Sequence, residues 1–270
     1  MKHWKWTCMG LLMALGLQGL AHADDALQAA IAGTHRTPAY VARDGWRHPY
    51  ETLLFFGIRP SSTVVEISPG GGWYTEILAP YLRAQGQLIL AADDPESEKP
   101  EAVKNLERLK AKLQAQPAVY GQVRLGVFAP PAKLAYVAPG SADLVLTFRN
   151  VHNWSLDGDT GVRAVFASAF QSLKSGGVFG VVEHRLPADR LQDATTSTGY
   201  VHQDYVIRQA QSVGFVLAAS SEINANPKDT ADHAGGVWAL PPSYANKDVD
   251  RDVYQAIGES DRMTLKFVKP

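Results

Sequence analysis

The stretch VVEISPGGGWYTEIL, residues 64–78, has the pattern of a buried strand, a glycine-rich turn and the start of a helix. A strand that helices cover on both faces is a short continuous apolar run, as the beginning of this stretch is. Glycines let the backbone approach a ligand closely, and a helix N-terminus presents free N–H groups to it. The stretch therefore predicts a nucleoside-containing ligand beyond the end of this strand.

The glycine turn differs from two common phosphate-binding patterns. A dinucleotide turn reads G-x-G-x-x-G, but Gly70 and Gly72 are followed by WYT, without the third glycine. No lysine followed by a serine or threonine comes after the glycines, so the turn is not a nucleoside triphosphate loop. Glu66, at the end of the strand, indicates a ligand with a cationic or hydrogen-bond-donating end.

The rest of the chain predicts an α/β fold. Short apolar runs alternate with helical patterns, which is typical of a doubly wound, mostly parallel sheet covered on both faces. We expect seven strands, over 63–67, 87–92, 122–128, 143–147, 178–183, 215–220 and 263–268. A single domain is predicted over 24–270, with a helical cover over 24–60 and a loop-rich insertion over 224–260 before the last strand.

The order of these motifs resembles the class I S-adenosylmethionine-dependent methyltransferases. The stretch 64–72, DLVL at 143–146 and LKSGGVFGVVE at 173–183 resemble the family's first, fourth and fifth strand regions. RHPYETLLFFGI, TFRNVHNW, NANPKDT and GESDRMTLKFVKP are similar to segments of a little-characterised group of secreted bacterial predicted methyltransferases. The resemblance implies a Rossmann-like methyltransferase fold, S-adenosylmethionine as the cofactor, and methyl transfer to an unidentified small-molecule acceptor.

The resemblance also implies which residues bind the cofactor. They are Glu66, Ser68, Gly70, Gly71, Gly72 and Asp93. Ser68 stands where the family has its first glycine. The acidic residue that holds the ribose would be Asp93 or Asp94, although the aligned position falls on Ala92. The acidic residue that often lies near the adenine, after the third strand, is absent from VFAP at 127–130.

Polar residues follow the predicted fourth and fifth strands, where this fold places the groups that align an acceptor and remove its proton. The candidate catalytic residues are His152, His184 and Glu183, because an imidazole titrates near neutrality and a carboxylate can assist it. The candidate substrate-binding residues are Arg149, Asn150, Asn153, Trp154, Tyr74 and His48. Arg149 and Arg185 could hold an anionic substrate; alternatively, such loop side chains only satisfy backbone groups.

The N-terminus predicts a secretory signal peptide over 1–23. MKHWK is positively charged, an apolar stretch follows, and AHA at 21–23 is a cleavage site, so we expect cleavage after Ala23 and a periplasmic or secreted protein without a membrane anchor. The cleaved segment contains the only cysteine, which excludes disulfides and thiolate chemistry in the mature chain. No histidine pair has metal-ligand spacing, so no metal is expected.

The composition and the predicted location leave other functions open. A net charge of −1 and the absence of a basic run argue against a nucleic-acid partner. The chain could be a non-catalytic binding protein that retains a nucleoside-type pocket. It could also be a hydrolase-like enzyme that uses His152, His184 and Glu183, although no G-x-S-x-G elbow supports this.

Overall fold

The computed structural model describes residues 24–270, so the predicted signal peptide lies outside the described residues. Within that part of the chain, no helix is both long and apolar enough to span a membrane. The strands are β1 Thr63–Ile67, β2 Gln87–Ala92, β3 Arg124–Val127, β4 Ala142–Phe148, β5 Leu173–Leu186, β6 Val201–His202, β7 Val216–Ser221 and β8 Arg262–Val268.

The strands form one mostly parallel sheet with the order β3-β2-β1-β4-β5-β8-β7. Only β8 runs antiparallel to its neighbours in this order, β5 and β7, and the two-residue β6 pairs with the end of β5. The predicted doubly wound, mostly parallel sheet is confirmed, and β6 is an addition to the seven predicted strands. The strand order reverses between β1 and β4, so a ligand crevice is expected beyond their carboxyl ends.

Helices cover the sheet on both faces. They are α1 24–31, α2 Pro38–Val41, α3 Asp44–Arg47, α4 Pro49–Phe56, α5 Thr75–Leu82, α6 Pro100–Ala115, α7 Pro117–Tyr120, α8 Val151–Trp154, α9 Gly158–Ser172, α10 Gln203–Ser212 and α11 Arg251–Ile257. Helix α4 begins at Pro49, which pre-sets its first turn, and ends before Gly57, which has a φ of 82°. The segment 224–260 contains α11 and a 3-10 helix over Gly236–Ala239.

The apolar core consists of two layers, one on each face of the sheet. Val64 packs with the layer beneath α4, α5 and α6, whereas the adjacent Val65 packs with the layer beneath α9 and α10. This alternation is the period of two that a strand imposes on its side chains. Both faces of β1 are therefore buried, which holds the glycine turn after it in a fixed position.

The N-terminal helices lie against the apolar layer that contains Val64. Leu27, Leu53 and Phe56 are fully buried in that layer. Thr37 donates from its N–H and its hydroxyl to the carboxylate of Glu76, at 2.9 and 2.7 Å, and so ties this region to α5. The connection places α2 and α3 beside the glycine turn.

Candidate functional site

The glycine turn has a backbone conformation that suits a close ligand. Ser68, Gly70 and Gly72 all have positive φ, at 52°, 56° and 80°. Ser68 thus adopts the left-handed conformation that glycine accepts with least strain, at the position where the family has a glycine. A Cβ added to Gly70 would meet no atom within 4 Å, so the space in front of this residue is open.

Three side chains fix the turn in place. Asn150 donates from Nδ2 to the carbonyl oxygens of Ile67 and Ser68, at 3.2 and 3.3 Å, and thereby ties the turn to the end of β4. The carbonyl oxygen of Gly71 accepts from Tyr40 Oη and Lys112 Nζ, at 3.0 and 2.8 Å. The turn is therefore held from the N-terminal helices, from α6 and from the sheet.

Two cavities lie on either side of this turn. The first, of about 450 Å³, lies over the ends of β2 and β3; we call it the β2 cavity, and its walls include Asp93, Asn153 and Trp154. The second, of about 300 Å³, lies between the turn, α3 and the segment 237–243; we call it the arginine cavity after Arg43, Arg47 and Arg149. Both cavities are lined by Ser68, Pro69, Gly70 and Asn150.

In the β2 cavity, Asp93 and Asp94 have different roles. The Asp94 carboxylate pairs with Lys133 Nζ at 2.7 Å and accepts the Glu96 N–H at 3.1 Å. The half-buried Asp93 carboxylate accepts no hydrogen bond from any residue over 24–270, and burial raises its pKa. Asp93 is thus the acid of the pair whose oxygens are free to accept from a ligand. Trp154 forms an aromatic wall with Phe128, at a centroid distance of 6.0 Å.

Glu66 lies under the glycine turn and lines neither cavity. It is 3% exposed, and its carboxylate accepts the Thr75 hydroxyl at 2.7 Å, which joins the end of β1 to the first residue of α5. Burial raises the pKa of Glu66 to about 7. In this conformation the carboxylate supports the turn from below and does not face the cavities.

Glu66 should make the stability of the protein depend on pH. Its folded-state pKa lies above the ordinary value of 4.5, so the folded state binds the extra proton, and stability falls as the pH rises from about 4.5 to about 7. We expect Glu66→Gln, which cannot ionise, to remove this loss of about 3 kcal/mol. Urea unfolding of the wild type and of Glu66→Gln at pH 4.5 and above pH 7 measures this difference in the free energy of unfolding. If that free energy changed equally with pH in the two proteins, the raised pKa of Glu66 would be contradicted.

A buried carboxylate organises the two histidines after β4 and β5. Glu183 is fully buried and accepts the N–H groups of Val151 and His184 at 2.5 and 2.8 Å. It also contacts His152 Nδ1 at 3.1 Å. This contact assigns the imidazole proton to Nδ1 and leaves Nε2 of His152 with a free lone pair. Glu183 therefore orients His152, and does not line a cavity itself.

His184 lies beside His152, with 5.5 Å between the ring centroids. Its Nδ1 contacts the Ser260 hydroxyl at 2.5 Å. Burial and the charges of His152, Arg149 and Arg262 lower the pKa of His184 well below 6.5, so its imidazole is neutral at physiological pH. Both histidines line the arginine cavity.

The structure brings together a group that the sequence spacing does not predict. Potential metal-ligating atoms of His152, Glu183 and His184 lie within 4.8 Å of one another. However, the Glu183 carboxylate is already satisfied by N–H groups, and the arginines of the same cavity oppose a cation. The arrangement favours proton transfer over metal binding.

The arginine cavity contains one acid among several cations. Glu259 is 3% exposed and accepts from Arg43 Nε at 2.5 Å, Arg47 Nε at 2.9 Å and Arg262 Nη1 at 3.0 Å. Arg149 has a φ of 62° and donates its backbone N–H to the Val182 carbonyl at 2.7 Å. Burial lowers the pKa of Arg149 to about 10, so its guanidinium remains charged at neutral pH.

Some predicted residues do not reach the cavities. Tyr74 stacks on Phe148 at a centroid distance of 3.6 Å and is buried in the core, and His48 links α3 to α4; neither lines the two cavities. Gly72 lines neither cavity either. Arg185 is paired with Glu222 and Asp261 at 2.7 and 2.8 Å, outside the arginine cavity.

Sequence reasoning missed several cavity residues. They are Arg43, Trp238, Glu259 and Ser260. Glu259 and Ser260 belong to the segment GESDRMTLKFVKP, which therefore contained a usable signal. Trp238 lies in the loop-rich insertion, where no pattern marks it.

Comparison with solved structures places this architecture among known folds. The protein is similar to an S-adenosylmethionine-dependent methyltransferase from Aquifex aeolicus, with a TM-score of 0.51 and 14% identity over 68% of this chain and 87% of the other. It is also similar to geranyl diphosphate C-methyltransferase from Streptomyces coelicolor A3(2), solved with Mg²⁺, geranyl diphosphate and S-adenosyl-L-homocysteine, with a TM-score of 0.57 and 12% identity over 90% and 88%. The cyclase SpnF matches with a TM-score of 0.54 and 13% identity over 93% and 95%.

No family model and no curated protein matches the sequence. Identities this low show a common fold, and because a cyclase is among the neighbours, the fold by itself does not determine the reaction. The mostly parallel sheet matches the fold of these neighbours. The chain therefore has the fold of the class I S-adenosylmethionine-dependent methyltransferases.

Proposed function

We propose that the protein binds S-adenosylmethionine and transfers its methyl group to a small-molecule acceptor. The observation that carries this proposal is the pair of cavities with a common wall at the glycine turn. A ligand in the β2 cavity that passes Gly70 reaches the arginine cavity, where His152 and His184 lie. One cavity can thus hold a cofactor while the other presents an acceptor to its reactive end.

The β2 cavity has the groups that an adenosine-containing ligand requires. Its volume of about 450 Å³ falls in the range of about 300–1,000 Å³ that is usual for small-molecule sites. Asp93 has free carboxylate oxygens for ribose hydroxyls, and Phe128 and Trp154 form an apolar wall. The bound S-adenosyl-L-homocysteine of the Streptomyces enzyme supports this choice of ligand.

The residues of the arginine cavity can orient an acceptor and accept its proton. The cofactor, when bound, supplies an electrophilic methyl group. His152 keeps its proton on Nδ1, toward Glu183, so Nε2 can take a proton from the acceptor atom as that atom becomes methylated. Glu183 then stabilises the imidazolium that forms. His184 is a second neutral base in the same cavity.

We also propose that the protein acts outside the cytoplasm. The proposal rests on the charged start, the apolar stretch and the AHA site within 1–23. Fractionation of expressing cells, with mass measurement of the purified chain, tests it: a chain beginning at Asp24 outside the cytoplasm supports export, and an intact chain in the cytosol contradicts it.

Calorimetry with residues 24–270 tests the methyl-transfer proposal. We expect S-adenosylmethionine and S-adenosylhomocysteine to bind with dissociation constants between about 1 μM and 1 mM, the usual range for enzyme ligands. The absence of heat from both at millimolar concentration would overturn the proposal. Binding without methyl transfer across a panel of carboxylate, phosphate and phenol acceptors would instead indicate a binding protein.

A further inference from the structure

We propose that the arginine cavity recognises its acceptor through an oxyanion, a carboxylate or a phosphate. The role of this oxyanion as part of a methyl acceptor rests on the proposed function; its binding does not. Three arginines line the cavity, and Glu259 is the one acid among the lining residues. The arginines and Glu259 together give the lining a net charge of 3 − 1 = +2.

A fourth guanidinium group adjoins the cavity. Arg262, which is 2% exposed, also donates to Glu259, so three guanidinium groups share one carboxylate. No residue over 24–270 provides a hydrogen-bond acceptor for the side chain of Arg149. Excess charge of one sign in a partly enclosed cavity raises the local concentration of ligands of the opposite sign.

A buried donor without a partner belongs to one of the arginines in the wall of this cavity. Arg47 is 3% exposed and lines the cavity, and its Nη1 has no hydrogen-bond partner within the described chain. A buried donor left unsatisfied is destabilising. A guanidinium group matches the planar, two-oxygen geometry of a carboxylate or phosphate, so an oxyanion in the cavity suits the side chain of Arg149.

The position of the charge favours the acceptor over the cofactor as the source of the oxyanion. The three arginines and the two histidines line one cavity, and none of the five lines the β2 cavity. An oxyanion bound there lies in the same cavity as the candidate base. The carboxylate of the cofactor has the same chemistry, so the experiment must distinguish the two.

The test is calorimetry of residues 24–270 with inorganic phosphate and, separately, with benzoate. We expect both to bind, and Arg149→Gln to weaken them more than about tenfold, because a hydrogen bond to a charged group contributes about 1.5–3 kcal/mol. The matched control is Arg208→Gln, an exposed arginine on α10 outside both cavities, which should bind as the wild type does. If Arg149→Gln fails to fold by circular dichroism, Arg43→Gln replaces it.

Cofactor analogues separate the two sources of the oxyanion. S-adenosylhomocysteine has a carboxylate and methylthioadenosine has none. If Arg149→Gln weakens the former but not the latter, the arginines hold the cofactor, and the proposal is overturned. Unchanged binding of both supports it. No binding of phosphate or benzoate to the wild type also overturns it. If the wild type binds phosphate and benzoate but not S-adenosylhomocysteine, only the proposed function is refuted.

Discussion

Gly70→Val is expected to leave residues 24–270 unable to bind S-adenosylhomocysteine measurably. Gly70 lines both cavities, and a Cβ at this position would meet no protein atom within 4 Å. The valine side chain would therefore project into the space that the ligand needs, and the backbone could no longer approach it. Calorimetry measures the loss of binding, and unchanged affinity would show that the ligand lies elsewhere.

The same substitution at Gly140 controls for backbone strain. Gly140 has a φ of 64°, close to that of Gly70, and a Cβ there also meets no atom within 4 Å, but Gly140 lines neither cavity. A non-glycine residue held in this region costs about 1–3 kcal/mol, so both variants should lose stability. Only Gly70→Val should lose the ligand; loss in both would indicate a general effect of strain.

Glu259→Gln is expected to lower the free energy of unfolding by about 3–5 kcal/mol. Glu259 is the shared acceptor of Arg43, Arg47 and Arg262, and the last two are 3% and 2% exposed. The amide keeps the shape of the carboxylate but not its charge, so two buried guanidinium groups would lose their counter-charge. Urea unfolding at neutral pH measures the change.

Glu222→Gln is the matched control for this loss of charge. Glu222 accepts hydrogen bonds from both terminal nitrogens of Arg185, at 2.8 and 2.7 Å, but its side chain is 66% exposed. Water screens an exposed pair, so we expect a change of no more than about 1 kcal/mol. Equal effects of the two substitutions would contradict the buried-charge explanation for Glu259.

The sequence predicted the strands whose pattern depends on residues close together in the chain. Continuous apolar runs marked the central strands β1, β2 and β4, because a strand covered on both faces is apolar along its whole length. The edge strands β3 and β7 are mostly exposed or half-buried, and weaker runs marked them. The bounds of β5 were wrong: it begins at Leu173 instead of 178, since Leu173 pairs with Ala142 across an irregularity in β4. Strand β6 has only two residues, too few to show the alternation or the apolar run by which a strand is predicted.

The sequence predicted the site residues that lie at the ends of strands. It did not predict those that only the tertiary fold brings to the site. His152, Glu183 and His184 come directly after β4 or near the end of β5, and parallel strands bring such positions to one edge of the sheet. Arg43 and Glu259 are 216 residues apart, and their contact exists only because the N-terminal helices pack beside the residues that precede β8. No local pattern could have paired them.

The common wall of the two cavities has a thermodynamic consequence. Asn150 fixes the backbone of Ile67 and Ser68, and the turn that they begin forms part of both cavities. A movement of this element therefore changes both cavities together. If occupancy of one cavity shifts this element, the affinity of the other changes, and linkage requires the reverse effect to have the same factor. Any cooperativity between the two ligands must therefore be reciprocal, whichever binds first.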